Sequence, residues 1–280
     1  MERVDELRSI FMRVLGLTLL AAAAALAADT NQQLSQAQID EIVQKFSAKE
    51  SAFARARENY TYRQSAKIQE ADDAGTPGGK WEEVSDIVFT GEGKRTEHVV
   101  RAPVTTLRLI VMDPGDLEDI RHTQPFVLTS EELPNYYVRY LGHQNVDEIG
   151  CYVFAVKPKK LESNKRYFSG QVWVDDRDLQ IVKSYGRGVG LQKKSEDHQY
   201  PKFETYREQI DGKYWFPTYT IANDTLHFKE NDVRIKQTIK YEDYKQFRSD
   251  VKITFGEEAD TKPEVKDDKK DEKPAVKKKP

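Results

Sequence analysis

The sequence predicts a mainly β protein with helices, an α+β chain built on one antiparallel sheet or barrel. Three observations carry this. From Tyr60 onward the apolar residues recur with a period of two in short segments, as on strands with one wet face. Compact turn signals rich in Gly, Asp and Pro separate those segments. Only the stretch before Tyr60 carries a long helical period. Short strands joined by tight turns, without helices alternating between them, point away from a βαβ domain.

The helix is expected from about Ser35 to Asn59. Ser35 and Gln38 form a Ser-x-x-Gln capping box, and Ile39, Ile42, Val43, Phe46 and Phe53 then fall close to one face. Such a helix is amphipathic and needs a surface to lie on. Tyr60, Tyr62, Ala66 and Ile68 begin the first strand. The Gly75-Thr76-Pro77-Gly78-Gly79 cluster turns the chain into a strand from Trp81 to Phe89, and Gly91 to Lys94 reverses it into Arg95–Arg101. After the apolar run Leu107–Met112, Asp113 is placed to cap a short helix with Pro114 at its first position, running towards Ile120.

The second half is read as strands over Tyr136–Leu141, Gly150–Lys157, Tyr167–Val174, Leu179–Tyr185, Phe203–Ile210, Tyr214–Ala222, Thr225–Lys229 and Arg234–Tyr241, with Tyr241–Phe247 closing the ordered region. Asp175 to Asp178 and Asp211-Gly212 are its clearest turns. Gly186-Arg187-Gly188-Val189-Gly190 reads as a flexible crossing or bulge between strands.

The ends of the chain differ from this middle. Val14 to Ala27 is an uncharged apolar run, preceded by Arg13 and ending Ala25-Leu26-Ala27, which reads as a secretory signal peptide over residues 1–28. It falls short of the roughly 20 apolar residues of a spanning helix. Met1 to Phe11 is acidic for such a leader, and Met12-Arg13 makes an alternative start. No cysteine follows the expected cleavage near Ala28 or Asp29, so no lipid-anchor acceptor stands there. The localisation expected is periplasmic. Residues 29–255 are then the folded domain. Residues 256–280, almost all Lys, Asp, Glu and Pro, are expected to remain a disordered charged tail.

Composition and motifs narrow the function. A net charge of −3 on 280 residues gives no support for nucleic-acid binding. The five histidines are scattered, without metal-ligand spacing, and Asp175, Asp176 and Asp178 lack the glycine and distal glutamate of a calcium loop. The glycines at 186–190 precede a polar stretch ending in Pro201, so no helix N-terminus meets a phosphate there. No nucleophile elbow occurs. Cys151, the only cysteine, reads as a small buried hydrophobe. The expectation is a chain that is not an enzyme and uses no metal or other cofactor.

Gly170-Gln171-Val172-Trp173-Val174-Asp175, Asp211-Gly212-Lys213-Tyr214-Trp215-Phe216-Pro217-Thr218 and Tyr241-Glu242-Asp243-Tyr244-Lys245-Gln246-Phe247 carry a resemblance. The segment from about Tyr136 to Phe247 resembles the LolA-like outer-membrane lipoprotein-sorting family. The resemblance implies a curved antiparallel sheet, an unclosed β-barrel wrapped around an N-terminal helix and short helices. It further implies a monomeric periplasmic carrier that holds lipid or lipoprotein acyl chains and exchanges them with inner- or outer-membrane lipoprotein transport components. Tyr62, Phe89, Tyr140, Phe154, Trp173, Trp215 and Phe228 are the lipid-binding candidates for its cavity. The plainer reading is that the same residues fill an ordinary sheet core. Arg63, Arg101 and Arg108 are candidates by location for a ligand-retaining arginine. The alternative function is a scaffold or sensor of the same fold that binds a protein partner.

Overall fold

The computed structural model describes residues 34–247 except 73, 91–92 and 191–198; the expected signal peptide and charged tail lie outside the described residues. Helix α1 spans Gln36–Arg57 and starts as its sequence dictates. The Ser35 hydroxyl accepts from the Gln38 amide (3.4 Å), while the Gln38 side chain accepts from the Ser35 amide (2.9 Å). Two orphan donors of the first turn are thereby satisfied. Its buried stripe is Val43, Phe46, Ser47, Glu50, Ser51 and Phe53.

Ten strands follow, all paired antiparallel: β1 Tyr60–Ala71, β2 Pro77–Phe89, β3 Arg95–Thr105, β4 Tyr136–Val146, β5 Ile149–Pro158, β6 Arg166–Asp175, β7 Ile181–Gly190, β8 Phe203–Ile210, β9 Tyr214–His227 and β10 Asp232–Gln246. Their order in the single sheet is β3-β2-β1-β10-β9-β8-β7-β6-β5-β4. The sheet is not closed: β3 and β4 are its two free edges. Those edge strands are consecutive in the chain, so the connector between them must travel from one edge to the other. It does so through a short helix α2, Pro114–Glu118, a π-helical turn Asp119–Thr123 and a 3₁₀ turn Leu133–Asn135. Asp113 caps α2 as expected, with a reciprocal bond to Asp116.

The sheet is strongly curved. Laid flat, ten strands at about 4.8 Å spacing would hold the outer two roughly 43 Å apart. Yet Arg95 at the start of β3 and Tyr136 at the start of β4 line one cavity. The sheet curls round α1 and the connector, and these fill its concave side. One buried cluster joins α1 to β4–β7, with Phe46 against Phe154 (5.4 Å between ring centres) and Phe126 of the connector stacked on Phe168 (4.4 Å). A second joins β1, β2, β9 and β10 around Trp81, Val233 and Ile239, with Ile120 of the connector. Between them lies a buried polar layer, in which the amides of Gln124 and Gln237 bond each other and Thr205 reaches the Gln124 carbonyl (2.8 Å).

Buried charge pins the concave elements to the sheet. Glu50 of α1 accepts from the Ile181 amide (3.1 Å) and from Arg207 of β8 (3.1 Å), whose other nitrogen donates to the Phe126 carbonyl. Asp119 and Arg166 share two bonds of 2.8 and 2.6 Å. The Glu70 carboxylate, fully buried, accepts from four backbone amides: Gly79, Arg108, Leu109 and Ile110.

Three expectations need correction. Gly186 to Gly190 is no crossing but the second half of β7. A Cβ on Gly170 would sit 2.1 Å from the Tyr185 carbonyl oxygen and one on Gly186 2.7 Å from the Phe168 ring, so glycine is what lets β6 and β7 close under that ring. Tyr214–Ala222 and Thr225–Lys229 form one strand, because Asn223 and Asp224, residues typical of turns, stay in register with Lys236 and Ile235. Likewise Arg234–Tyr241 and the segment after it run as one strand, β10. Asp211 and Gly212 do turn the chain, both at positive φ (57° and 65°), within the three-residue turn that joins Ile210 to its partner Tyr214. Cys151 is buried, and burial pushes its thiol up to about 11.

Candidate functional site

A cavity of about 580 Å³ opens where the two sheet edges approach each other over the end of α1. Ala54 and Arg57 of α1, Tyr62 of β1, Phe89 of β2 and Arg95 of β3 form one wall. The connector from Glu118 to Glu132 forms another, and Tyr136, Arg166 and Phe168 close it from the opposite edge. The lining is amphipathic: aromatic rings from Tyr62, Phe89, Phe126, Tyr136 and Phe168 stand among guanidinium groups, with Glu118, Glu132 and Lys165 also on the walls. Its volume falls within the roughly 300–1,000 Å³ of small-molecule sites.

Most of these guanidiniums are paired. Arg95, 10% exposed at its side chain, bonds Glu97, which also takes Arg121 (2.9 Å), and its Nη2 donates to Gln64 (3.0 Å). Burial alone would lower the pKa of Arg95, but the Tyr62 phenol and the Glu97 carboxylate outweigh it and hold the group above its ordinary value. Burial likewise works against Glu97, and its two arginine partners still hold it below the usual carboxylate range. Arg166, 2% exposed, belongs to Asp119 and lies 3.7 Å over the Tyr200 ring.

Arg57 is different. It makes no ion pair among the described residues, and the Phe53 and Phe89 rings lie beside it, each 6.0 Å away. Burial lowers its pKa and outweighs the support of Tyr62, with Arg207 adding a further lowering and Glu50 a smaller support. His122, on the connector wall, is pushed down by burial and by the charges of Arg95, Arg57 and Arg121, against Glu118. Burial first, and then the three nearby guanidiniums, thus disfavour the charged imidazole. Arg95 Nε is buried without an acceptor. Among the described residues, no group of three or more His, Cys, Asp or Glu could hold a metal ion.

No family model and no curated protein matches the chain. Among solved structures it is similar to a LolA superfamily protein from Nitrosomonas europaea, at 14% identity over 72% of this chain and 94% of that one, with a TM-score of 0.31. It is also similar to a protein described as an outer-membrane lipoprotein-sorting domain from Vibrio parahaemolyticus (9% identity, 74% and 94% covered, TM-score 0.34). A third is the MucA/MucB complex of Pseudomonas aeruginosa (10% identity, 70% and 93% covered, TM-score 0.20).

Of the residues singled out from the sequence, the structure brings Tyr62 and Phe89 together in the cavity wall. The others lie elsewhere. Phe154 is fully buried against Phe46, and Tyr140 packs beside it (5.6 Å), both in the core cluster of β4–β7. Val172 and Val174 take the core face of β6, so Trp173 projects from the other face, with Nε1 donating to Gln144 (3.2 Å) and Lys183 over its ring. Trp215 donates to Asp178 (2.8 Å) in the β6–β7 turn. Phe228 packs at the β9–β10 turn against the second cluster. Arg63 is bound to Asp86 (2.8 Å) on the sheet, Arg101 is exposed on β3, and the Arg108 amide is held by Glu70; none lines the cavity.

Sequence reasoning missed Arg57, Arg95, Arg121, His122 and Arg166. Arg57 left a trace: Phe46, Glu50, Phe53 and Arg57 lie at spacings of four, three and four, so a basic residue continues the buried stripe of α1.

Proposed function

We propose that this chain is a non-enzymatic periplasmic binding protein or carrier that holds a lipid-class amphiphile, such as a free lipid or the acyl chains of a lipoprotein, between the edges of its unclosed sheet. The observation that carries the reading is the amphipathic cavity, whose walls mix aromatic rings with guanidiniums. Apolar chain leaves water there at roughly 0.8 kcal/mol per buried methylene. Ten methylenes supply about 8 kcal/mol before the cost of ordering, enough for capture and low enough for release to a membrane or acceptor.

The test is native mass spectrometry, with lipid extraction, of protein purified from its own envelope. Ala54→Trp projects an indole from α1 into the cavity, whereas Trp173→Gln alters the opposite face of the sheet. Copurified lipid present in the parent and in Trp173→Gln but missing from Ala54→Trp, with circular dichroism unchanged, is the expected result. A ligand-free parent, or lipid retained by Ala54→Trp, overturns it.

A second reading rests on β3. This edge strand exposes Val99, Val100 and Val104 by more than half, and an unpaired edge accepts an added strand from a protein partner. A partner captured from the envelope that survives Ala54→Trp but is lost on Val100→Pro favours it.

A further inference from the structure

We infer that the ligand is an oxyanion at one end, a carboxylate or phosphate seated on Arg57; this rests on the cavity being a lipid-class site. The inference starts from an imbalance. Arg95 and Arg121 share Glu97, and Arg166 has Asp119, whereas Arg57 makes no ion pair among the described residues and meets the charges of Glu50 and Glu132 only at longer range. A half-buried guanidinium with two aromatic rings beside it and no carboxylate in contact has lost part of its hydration without a close ionic partner in return. The same cavity wall also holds the buried, acceptorless Nε of Arg95 and His122, whose pKa burial lowers first and the nearby guanidiniums lower further.

A neutral ligand leaves that wall as it is. An anion changes it: a planar fork of donors matches carboxylate and phosphate oxygens, and charge-assisted bonds formed away from bulk water are the strong ones. Position supports the same assignment. Arg57 stands in the last turn of α1, where the helix carbonyls favour a cation, and beside Phe89, so a head on Arg57 leaves the adjoining tail against the aromatic wall.

The test compares ligands that differ only at the head. Isothermal titration of the folded protein with decanoate, decyl phosphate, 1-decanol and inorganic phosphate gives four affinities. The two anionic amphiphiles are expected to bind at least tenfold more tightly than decanol. Arg57→Gln removes that preference while leaving decanol binding within twofold, and Arg57→Lys restores part of it. Lys183→Gln, on the opposite face with Trp173, changes nothing. Equal binding of decanol and decanoate by the parent overturns the anion site and leaves the lipid reading standing. Binding of inorganic phosphate as tight as that of decyl phosphate supports the anion site and assigns it to free phosphate instead of a lipid head. Failure of all four to bind overturns both.

Discussion

Replacing Glu70 by Gln tests how the fold holds the connector that walls the cavity. The carboxylate accepts four backbone amides, Gly79 and Arg108 on Oε1 (2.9 and 2.8 Å) and Leu109 and Ile110 on Oε2 (3.0 and 3.2 Å). Glutamine keeps the volume but offers one acceptor oxygen and places an NH₂ where the second oxygen stood. Two of these part-buried amides then lose their acceptor and face a donor. Hydrogen bonds to a charged group contribute roughly 1.5–3 kcal/mol each, so the loss amounts to about 3–6 kcal/mol. That is a large share of the roughly 5–15 kcal/mol by which a domain is stable. Equilibrium urea unfolding should show the midpoint falling at unchanged slope. Hydrogen exchange should accelerate first at residues 108–110, before the core strands. A variant within 1 kcal/mol of the parent, with unchanged exchange at those amides, refutes the assignment of Glu70 as the anchor of this segment.

Burial pushes the Asp116 carboxyl up to about 7, with Asp113 and Asp119 adding to the effect, so the folded state favours its protonated form. Its contribution to stability is therefore full below about pH 4 and is lost as pH rises through 7; Asp116→Asn should flatten that slope and gain on the order of 2 kcal/mol at pH 8, read by thermal unfolding across pH. Arg207→Met strands the buried Glu50 carboxylate and should cost about 3–5 kcal/mol in urea unfolding. The double variant Glu50→Gln with Arg207→Met should recover at least half of that loss. Gly170→Ala drives a Cβ to 2.1 Å from the Tyr185 carbonyl and should destabilise by about 3 kcal/mol, with the first exchange changes across the β6–β7 ladder.

The features legible in the sequence were the locally determined ones. The Ser35–Gln38 capping box and the Asp113 cap followed by Pro114 were readable because each is set within a few residues, whereas the reciprocal partner Asp116 emerged only with the structure. The Asp211-Gly212 hairpin was readable because its backbone demands those residues. Long-range pairing decided the rest. Asn223 and Asp224 spell a turn, and ladder bonds to β10 override them. The face of Trp173 was ambiguous because β5 buries both Val153 and Phe154, so neither parity of the alternation marks the interior by burial alone. The cavity arginines come from α1, β3, the connector and β6, and only the curl of the sheet brings them together.

The strand order also sets a schedule for folding. β1, beginning at Tyr60, finds one neighbour in β2 but the other only in β10, whose paired end is Gln246. A chain emerging from its N-terminus presents α1 and the β1–β3 meander long before the strand that joins them to β4–β9 exists. Until β10 arrives, the inner edge of β1 is open and the stripe of α1 has half a sheet to cover. Non-local closure of this kind is intrinsically slow and leaves strand edges exposed to other chains. The same last strand that completes the barrel wall is thus the step at which a holding factor, or its absence, decides between folding and aggregation.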